Sequence, residues 1–482
     1  MTPKASFIRH TNFKSVVLRT KQFYLLHNYN VRSKIPHLHT CAFQSSFAKN
    51  CCQSMQLADT RYRYTNNHLF HSLPMMSSTR KPFPVHRSFL LFHSNTEGDG
   101  DPKTSNELLQ QILPLGATIQ NTLHSSIKLL EEKSIPEPEE SVLHLLSHAL
   151  NLSWENGYRQ LRDVLTLPLP QPVVEPLKET TQLPPLHQLS QQILTTEQRS
   201  KYLSLLERRM HFEPLQYIIG QWDFHFLTGL KIRKPMLCPR PETEELVELV
   251  LVEVEELLRD RELDKKIRIL DIGCGTGAIG IAIANRYPNN VEVVGLDVLS
   301  EAVDLSNENA GALLSGFADG VDETKELNGL YQAILFPAKD FTNDATYHKE
   351  TTDLETKMQM NFDIVVSNPP YIPLIDMDGL STDVVGYESY EALCGGEDGL
   401  NVIRDIVHRL PEWTSPNADD NAKPSTGSQS RYCWMEVDDS HPRLMAQWLA
   451  PGSEESQRWG VEFCEGFKDF CGRDRFVKLR VL

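Results

Sequence analysis

The segment LDIGCGTGAIG, Leu270–Gly280, constrains the fold of this chain more than any other. An apolar stretch typical of a buried strand runs directly into three alternating glycines, and small apolar residues at helical spacing follow. Glycine lets the backbone approach a ligand closely and leaves the N-terminus of the next helix free to receive it. The segment therefore predicts a strand, a ligand-binding turn and a helix in succession.

Strands and helices are predicted to alternate around this junction. A helix at 244–260 precedes it and a helix at 301–314 follows it. Further strands are predicted at 291–297, 331–336, 362–368, 431–437 and 474–482, the last as an edge strand. Regular alternation of this kind predicts an α/β fold with a parallel, doubly wound sheet.

Asp297 ends the strand that follows the glycine segment, 20 residues beyond Gly277. An acid at this place accepts hydrogen bonds from ribose hydroxyls, so the pattern predicts a cofactor that contains adenosine. Two cofactors fit the glycines. Read from Gly275, the segment matches the G-x-G-x-x-G dinucleotide fingerprint, which would suit an NAD-dependent dehydrogenase. Read from Asp271, as D-x-G-x-G-x-G, it resembles the S-adenosylmethionine loop of class I methyltransferases.

The segment VVSNPPYIP, Val365–Pro373, ends a predicted strand with residues that cannot continue a sheet. Open α/β sheets bind ligands at the carboxyl ends of their strands, so Asn368 is expected at that crevice. The prolines rigidify the strand exit, because each fixes φ and lacks an N–H. The Asn368 side-chain oxygen and a backbone carbonyl match the two donors of a planar –NH2 group, and Tyr371 can stack on its face. Methylation of nitrogen needs such a slot, whereas hydride transfer does not.

Together these segments resemble S-adenosylmethionine-dependent methyltransferases with an Asn-Pro-Pro-Tyr motif. Two groups share that motif: enzymes that methylate the amino group of adenine, and the HemK/PrmC family, which methylates glutamine in peptide chain release factors. Three further segments favour the second group: RRMHFEPLQYIIGQWDFHFL (Arg208–Leu227), LCPRPETEELVE (Leu237–Glu248) and YEALCGGEDGLNVIRDI (Tyr390–Ile406). The chain departs from the family pattern at Phe212, where glycine is usual, and in WMEVDDSHP, where Glu-x-Gly-x-x-Gln is usual.

The resemblance implies a class I methyltransferase fold, with a mostly parallel seven-stranded sheet and a small N-terminal helical domain. It also implies methyl transfer from S-adenosylmethionine to the glutamine of a Gly-Gly-Gln loop in a release factor. The residues it implies for cofactor binding are Asp271, Gly273, Cys274, Gly275, Thr276, Gly277, Asp297, Asp340, Phe341 and Asn368. The residues it implies for holding the target glutamine are Asn368, Pro369, Pro370 and Tyr371.

The N-terminal 96 residues differ in charge from the rest of the chain. They hold 13 Lys or Arg and one acid, Asp59, which leaves 35 of the 48 basic and 63 of the 64 acidic residues for the remainder. An Arg-rich, Ser-rich and acid-poor leader without a continuous apolar core predicts a mitochondrial transit peptide; a disordered basic tail is the alternative. No stretch approaches the roughly 20 apolar residues of a membrane span.

The rest of the chain divides into two predicted domains. Apolar residues at helical spacing predict a helical domain at 105–215. The resemblance implies that this domain binds the substrate and that the catalytic domain lies at 216–482. Two polar stretches, near 342–360 and 412–430, read as surface insertions. The resemblance makes Arg240 and Glu242 of the Pro-Arg-Pro-Glu-Thr-Glu signature candidates either for cofactor contact or for a mutual ion pair that fixes the start of a helix.

Charge and cysteine content narrow the function further. The nine cysteines include no C-x-x-C pair, so we expect no zinc ribbon, no disulfide scaffold and no metal site. The acidic body argues against direct nucleic-acid binding and hence against the adenine methyltransferase alternative, which needs Lys and Arg to neutralise phosphates. A dehydrogenase would lack a proton donor beside the cofactor. A non-catalytic protein that retains the fold is disfavoured by the intact motifs.

Overall fold

The computed structural model describes residue 109 and residues 113–152, 154–168, 186–260, 265–315, 330–336, 361–414 and 431–482. Several sequence predictions lie outside these residues. They are the leader at 1–96, the insertion at 342–360, and the two residues expected near the adenine ring, Asp340 and Phe341.

Six helices form the first part of the described chain. They are α1 (Ile119–Glu132), α2 (Pro138–Ala149), α3 (Trp154–Leu165), α4 (Leu186–Gln191), α5 (Thr196–Met210) and α6 (Leu215–Ile219). Leu143, Leu145 and Leu146 of α2 are fully buried, as the helical spacing predicts. Helix α5 begins with a capping box: the Thr195 hydroxyl accepts a hydrogen bond from Gln198 N, and Thr195 N donates to Gln198 Oε1.

A two-stranded antiparallel hairpin, β1 (Gln221–Phe224) and β2 (Leu227–Lys231), follows α6 and was missed by the sequence prediction. Side chains on either side of the hairpin connect the helical part to the sheet-bearing part. The Tyr217 hydroxyl donates to the Met236 carbonyl, and the Tyr387 hydroxyl donates to the His211 carbonyl over 2.7 Å. These bonds fasten helices α5 and α6 to segments that border the large sheet.

The large sheet has seven strands in the order β5-β4-β3-β6-β7-β9-β8. Strands β3 to β7 are parallel, and β9 pairs antiparallel with both β7 and β8. The strands are β3 (Ile267–Ile272), β4 (Val291–Asp297), β5 (Tyr331–Leu335), β6 (Ile364–Ser367), β7 (Arg431–Glu436), β8 (Val461–Lys468) and β9 (Asp474–Val481). The predicted doubly wound, mostly parallel sheet is confirmed.

Helices cover both faces of this sheet. On one face lie α7 (Pro241–Asp260), α8 (Ala278–Arg286) and α9 (Ser300–Leu313), and on the other lie α12 (Asn401–Thr414) and α13 (His441–Trp448). Short elements occupy the remaining described loops: a 3-10 helix at Leu374–Gly379, α10 (Thr382–Val385), α11 (Tyr390–Leu393) and α14 (Glu454–Trp459). Along β3, Ile267 and Ile269 face the first layer and Leu270 and Ile272 the second, which is the two-residue alternation of a strand buried on both sides.

Two sequence predictions about the C-terminal part are wrong. Strand β9 is not at the edge, because a strand absent from the prediction, β8, pairs beyond it. Strand β8 escaped prediction because its middle residues are exposed and interrupt the apolar alternation. The first residues of the polar stretch expected near 412–430 belong to the fold instead of a surface insertion, since α12 continues to Thr414 and the Trp413 side chain is fully buried. The rest of that stretch, 415–430, lies outside the described residues.

The strand order places a crevice at the carboxyl end of the sheet. From β3 the chain moves outward to β4 and β5 on one side, then crosses back to β6 and β7 on the other. Ligands of open α/β sheets bind at such a switch point. The Ser367 hydroxyl donates to the Ile272 carbonyl over 2.7 Å and ties the ends of β6 and β3 together at this point. In the part of the chain described here, no helix is both long and apolar enough to cross a membrane.

Candidate active site

The glycine loop leaves the end of β3 and turns back toward β4 before α8 begins. Gly273, Gly275 and Gly277 all have positive φ, at 71°, 54° and 81°. A β-carbon at Gly273 would meet no atom within 4 Å, so this part of the loop faces open space, whereas one at Gly277 would lie 2.4 Å from the Ser306 hydroxyl oxygen. The first glycine therefore leaves room for a ligand, and the last allows α8 and α9 to pack closely.

Not every residue predicted in this loop is accessible. Gly273 is exposed and Gly275 is half-buried, while Cys274, Thr276 and Gly277 are buried. The Thr276 carbonyl accepts a hydrogen bond from the Asn309 amide over 2.9 Å, and burial raises the pKa of the Cys274 thiol well above its usual value. The accessible surface of the loop is thus mainly that of its first two glycines.

Asp271 lies beneath the loop and is fully buried. Its Oδ2 accepts a hydrogen bond from Gly280 N over 3.0 Å, while its Oδ1 has no partner among the described residues. Burial raises the pKa of this carboxyl to about 7, against the smaller opposing effect of the Gly280 hydrogen bond. An unpartnered buried acceptor is costly, and it marks a place where a bound molecule can supply a donor.

Asp297, at the end of β4, contacts the same loop from the other side. Its Oδ2 accepts from Gly275 N over 2.9 Å and its Oδ1 accepts from Leu299 N over 3.0 Å. The residue is half-buried, and burial raises its pKa while these backbone hydrogen bonds lower it. Asp297 therefore holds the glycine loop in position, and its carboxylate, with about four acceptor sites, keeps a lone pair for a ligand. Its contact with a ribose stays a prediction.

Asn368 follows β6 at the centre of the crevice. Its Nδ2 donates a hydrogen bond to the Thr243 hydroxyl over 3.1 Å, and Thr243 lies in the first turn of α7. The Asn368 Oδ1, by contrast, accepts no hydrogen bond from the described residues. Asn368 is half-buried and the adjoining Pro369 is buried, so the amide is fixed on its nitrogen side and presents an acceptor on the other.

A buried carboxylate lies behind Thr243. Glu436 ends β7, is fully buried, and accepts hydrogen bonds from the Thr243 hydroxyl at Oε2 (2.8 Å) and from the Tyr371 hydroxyl at Oε1 (3.0 Å). The Tyr371 hydroxyl in turn accepts from Arg475 Nη2 over 2.9 Å, and Arg475 Nε lies 4.0 Å from Glu436 Oε1. Thr243 and Tyr371 are thereby bound to one acidic anchor, whose charge Arg475 balances.

The Pro-Arg-Pro-Glu-Thr-Glu signature connects this anchor to other parts of the fold. Arg240 donates to both carboxylate oxygens of Glu388 at 2.8 and 2.9 Å, and Glu242 pairs with Arg473 at 2.8 Å. The expected ion pair between Arg240 and Glu242 is therefore wrong, since each has a different partner. The partners lie in distant segments, so the signature fastens the start of α7 to the loop between α10 and α11 and to the turn between β8 and β9.

The chain after the Asn-Pro-Pro-Tyr motif is supported by the glycine-rich segment at 392–400. Ile372 N donates to the Leu393 carbonyl over 3.0 Å, and Gly395 N donates to the Ile372 carbonyl over 2.9 Å. His441 is fully buried behind the segment and its Nε2 bonds to the Asp398 carbonyl at 3.0 Å. The third segment of the sequence resemblance thus forms the support on which the motif rests.

The structure brings most of the predicted residues together at one end of the sheet. These are Asp271, the glycine loop, Asp297, and the Asn-Pro-Pro-Tyr motif from Asn368 to Tyr371. Tyr371 directs its hydroxyl to Glu436 and Arg475, a role that sequence reasoning missed. Thr243, Glu436 and Arg475 were also missed, although Thr243 lies within the signature and Glu436 within the segment WMEV. In the described part of the chain, no cluster of three or more His, Cys, Asp or Glu residues is arranged to hold a metal ion.

Two family profiles match this chain. Residues 263–316 match a family described as a methyltransferase domain, and residues 177–220 match one described as the PrmC N-terminal domain. The first match covers β3, the glycine loop and α9, and the second covers α5 and α6. The first match therefore includes the candidate cofactor loop, and the second includes the helices that precede the β1–β2 hairpin.

Curated relatives match over a longer stretch. A human protein named MTRF1L release factor glutamine methyltransferase is 30% identical over 73% of this chain and 84% of its own length. A Bacillus cereus protein named release factor glutamine methyltransferase is 33% identical over 45% of this chain and 65% of its own length. Among solved structures, the human Mettl16 catalytic domain in complex with a MAT2A 3'UTR hairpin is 15% identical, with a TM-score of 0.35, and the match covers 56% of this chain and 82% of that one.

Proposed function

Because this chain belongs to the release factor glutamine methyltransferase family, we propose that it transfers a methyl group from S-adenosylmethionine to a glutamine side-chain nitrogen in a peptide chain release factor. The target we propose is the glutamine of a Gly-Gly-Gln loop. Membership of this family disfavours the adenine methyltransferase alternative, although that group shares the Asn-Pro-Pro-Tyr motif.

The observation that carries the proposal is the orientation of the Asn368 amide. Its nitrogen is bound to Thr243, so the oxygen is left to accept a hydrogen bond at the crevice. A primary amide such as glutamine carries two N–H donors on one nitrogen and needs two acceptors beside it. Asn368 Oδ1 and the Pro369 carbonyl, which accepts no hydrogen bond from the described residues, supply such a pair.

The residues at the glycine loop fit S-adenosylmethionine. The loop offers open space at Gly273, an unpartnered buried acceptor at Asp271 Oδ1, and spare lone pairs at Asp297. We propose that the loop and Asp271 hold the methionine end of the cofactor and that Asp297 binds its ribose. Asp340 and Phe341 are proposed to contact the adenine. When bound, the cofactor supplies an electrophilic methyl group on a positively charged sulfur.

The chain's own residues act on the nucleophile. An amide nitrogen is a poor nucleophile because its lone pair is delocalised into the carbonyl. Hydrogen bonds from its two N–H groups to Asn368 Oδ1 and the Pro369 carbonyl draw electron density onto the nitrogen and fix the plane of the amide. Pro369 and Pro370 stiffen this arrangement, since neither can rotate about φ. Holding the reacting atoms in one orientation lowers the activation barrier, because their translational and rotational entropy has already been lost on binding.

The helical part of the chain contributes in a different way. We propose that a domain at 105–215 binds the body of the release factor while the domain at 216–482 performs the transfer. In support of this, the end of α5 and helix α6 are fastened to the sheet-bearing part: the His211 carbonyl accepts from the Tyr387 hydroxyl over 2.7 Å, and the Tyr217 hydroxyl donates to the Met236 carbonyl.

We also propose that the protein acts in the mitochondrion. The proposal rests on the basic, acid-poor leader at 1–96, which has the composition of a transit peptide. The substrate would then be a release factor of the mitochondrial ribosome. Fusion of residues 1–96 to a fluorescent protein tests the targeting, and mitochondrial fluorescence is expected. A diffuse cytosolic signal would contradict the proposed localisation but would leave the proposed methyl transfer unaffected.

The chemistry is tested with purified full-length protein, isotopically labelled S-adenosylmethionine and a recombinant mitochondrial release factor. Label is expected on the release factor, and mass spectrometry should place one methyl group on the glutamine of the Gly-Gly-Gln loop. A release factor with alanine at that glutamine should take up no label. Label transfer to DNA or RNA instead of the release factor would overturn the proposal.

A further inference from the structure

We propose that Glu436, acting through Thr243, sets the direction of the Asn368 amide and so makes the site select a glutamine amide over a carboxylate of the same shape. This inference rests on the proposed function and deepens it, because it assigns the choice of substrate to residues that do not touch the substrate. Glu436 and Thr243 are positioning residues in this scheme, and Asn368 makes the contact.

The hydrogen-bond chain begins at the Glu436 carboxylate. An ionised carboxylate can only accept hydrogen bonds. Glu436 therefore takes the hydroxyl hydrogen of Thr243 at Oε2 and that of Tyr371 at Oε1. The fully buried position of Glu436 leaves no bulk water to compete for these donors.

Thr243 is next in the hydrogen-bond chain, and its hydroxyl carries a single hydrogen. Because that hydrogen goes to Glu436, the hydroxyl can offer Asn368 nothing but a lone pair. Of the two ends of the Asn368 amide, only Nδ2 can donate to a lone pair, which is the contact observed at 3.1 Å. Oδ1 must then face the other way, toward the crevice.

Glutamine at position 436 would reverse the donor and acceptor roles in this hydrogen-bond chain. The Tyr371 hydroxyl already accepts a hydrogen bond from Arg475, so its own hydrogen needs an acceptor. A glutamine at 436 would satisfy Tyr371 with its oxygen and would turn its –NH2 group to Thr243. The Thr243 hydroxyl would then accept from residue 436 and donate to Asn368, whose oxygen would turn inward and whose –NH2 would turn to the crevice.

The reversed amide would change which substrate fits. An –NH2 group of Asn368 facing the –NH2 group of glutamine places donor against donor, whereas a glutamate carboxylate would gain a partner. A buried polar group left without a partner lowers the affinity by roughly 5- to 150-fold. The direction of the hydrogen-bond chain therefore sets the discrimination between the amide and the acid.

The test compares Glu436→Gln and Thr243→Val with two matched controls, using the full-length enzyme loaded with S-adenosylhomocysteine. Glu253→Gln is the control for the first, since Glu253 is also buried and paired with a cation, Lys478. Thr414→Val is the control for the second, since Thr414 is buried and its hydroxyl, among the described residues, bonds only to a carbonyl of its own helix. The probes are one recombinant release factor with Gly-Gly-Gln and the same protein with Gly-Gly-Glu.

The quantity measured is the ratio of the dissociation constants for the two probes. Wild type and both controls should prefer the Gln probe. Glu436→Gln should shift the ratio toward the Glu probe by roughly 10-fold or more, and Thr243→Val should reduce the preference. The shift in the ratio is the readout that a merely structural role would not produce, because a loosened site would weaken both probes together.

Different outcomes would contradict the proposed function and the positioning role of Glu436. If wild type fails to methylate the Gln probe under any condition, the proposed function is wrong. If wild type methylates the Gln probe while Glu436→Gln keeps the wild-type ratio of dissociation constants, the function stands and the positioning role of Glu436 is overturned. Equal losses for both probes in Glu436→Gln with a normal thermal midpoint would also overturn it.

Discussion

The Asn368 amide nitrogen lies 3.1 Å from the Thr243 hydroxyl, although 125 positions of the chain separate the two residues. One belongs to the exit of a central strand and the other to the first turn of a helix on the face of the sheet. The contact fixes an amide by its nitrogen and leaves its oxygen at the crevice. The predictions below follow from this arrangement and from the burial of the groups around it.

Replacing Asn368 with alanine should remove catalysis while leaving the cofactor bound. The side chain provides one of the two acceptors for the target amide, and a misplaced nucleophile costs roughly 100-fold in rate. We expect kcat to fall by about that factor, with a dissociation constant for S-adenosylmethionine within a few-fold of wild type. Asn290→Ala, at an exposed turn, is the matched control. Equal losses of kcat and cofactor affinity would contradict the assigned role.

Replacing Asp297 with alanine should do the opposite. The carboxylate positions the Gly275 and Leu299 backbone and is proposed to bind ribose, so its loss should weaken cofactor binding by roughly 10- to 100-fold. Isothermal titration calorimetry measures this directly, and kcat at saturating cofactor should fall much less. Exposed Glu301→Ala on α9 serves as the control. An unchanged dissociation constant for the cofactor would show that Asp297 has no part in binding.

Activity should fall on the acid side at a higher pH than an ordinary glutamate would produce. Burial raises the pKa of Glu436 above 4.5, and the nearby Glu242 on α7 acts in the same direction. Arg475 on β9 and the hydroxyls of Thr243 and Tyr371 lower the pKa, but by less than burial raises it. As pH falls through that pKa, the protonated carboxyl can donate to Thr243, and the order of the hydrogen bonds is lost. The acid limb of the kcat profile should be present in wild type and absent in Glu436→Gln. An identical limb in both would assign it to another group.

Without cofactor, the protein should become less stable as pH rises from about 4 to 7. The pKa of Asp271 is about 7 in the folded state against an ordinary 3.8, so within this window the folded state retains a proton that the unfolded chain has released. The contribution of this residue to the free energy of unfolding therefore falls by up to about 1.4 kcal/mol per pH unit and levels off above pH 7. Denaturant titrations at several pH values should show a smaller slope for Asp271→Asn. A slope unchanged by that substitution would exclude Asp271 as the source.

Trp413→Ala should destabilise the protein by about 3–5 kcal/mol, because the side chain is fully buried near the end of α12 and its loss leaves a large cavity. Glu412→Ala, at the neighbouring exposed position, should change the free energy of unfolding by less than about 1 kcal/mol. Urea denaturation of the two variants measures the difference. Similar values for both would place Trp413 in the polar insertion, as the sequence alone suggested.

The fold was predictable where its signals are local. The glycine segment, the Asn-Pro-Pro-Tyr segment and the apolar alternation of β3, β4 and β6 each lie within about ten residues, and their structures follow the patterns. Strand β8 gave no such signal, because exposed residues interrupt its alternation and its pairing with β9 depends on the rest of the sheet. The prediction that β9 lies at the edge of the sheet was wrong for the same reason.

The candidate site was predictable only where the residues stand in sequence motifs. Asp271, Asp297 and Asn368 are found from their places at strand ends. The link between Thr243 and Glu436 spans 193 positions, and neither residue has a local pattern that marks it as part of a hydrogen-bonded pair. The sequence assigned Tyr371 a stacking role and gave no partner for its hydroxyl, because Glu436 and Arg475 come from β7 and β9, which sequence periodicity could not place against it.

The position of Arg475 on β9 has a consequence for inherited defects. A premature stop codon between Ile406 and Arg475 would spare the glycine loop and the Asn-Pro-Pro-Tyr motif yet remove the guanidinium that balances Glu436, together with a strand paired on both sides. Such an allele would encode every signature by which a genome scan recognises this enzyme. We expect it nevertheless to be a null allele, so late truncations of this chain should be scored as loss of function.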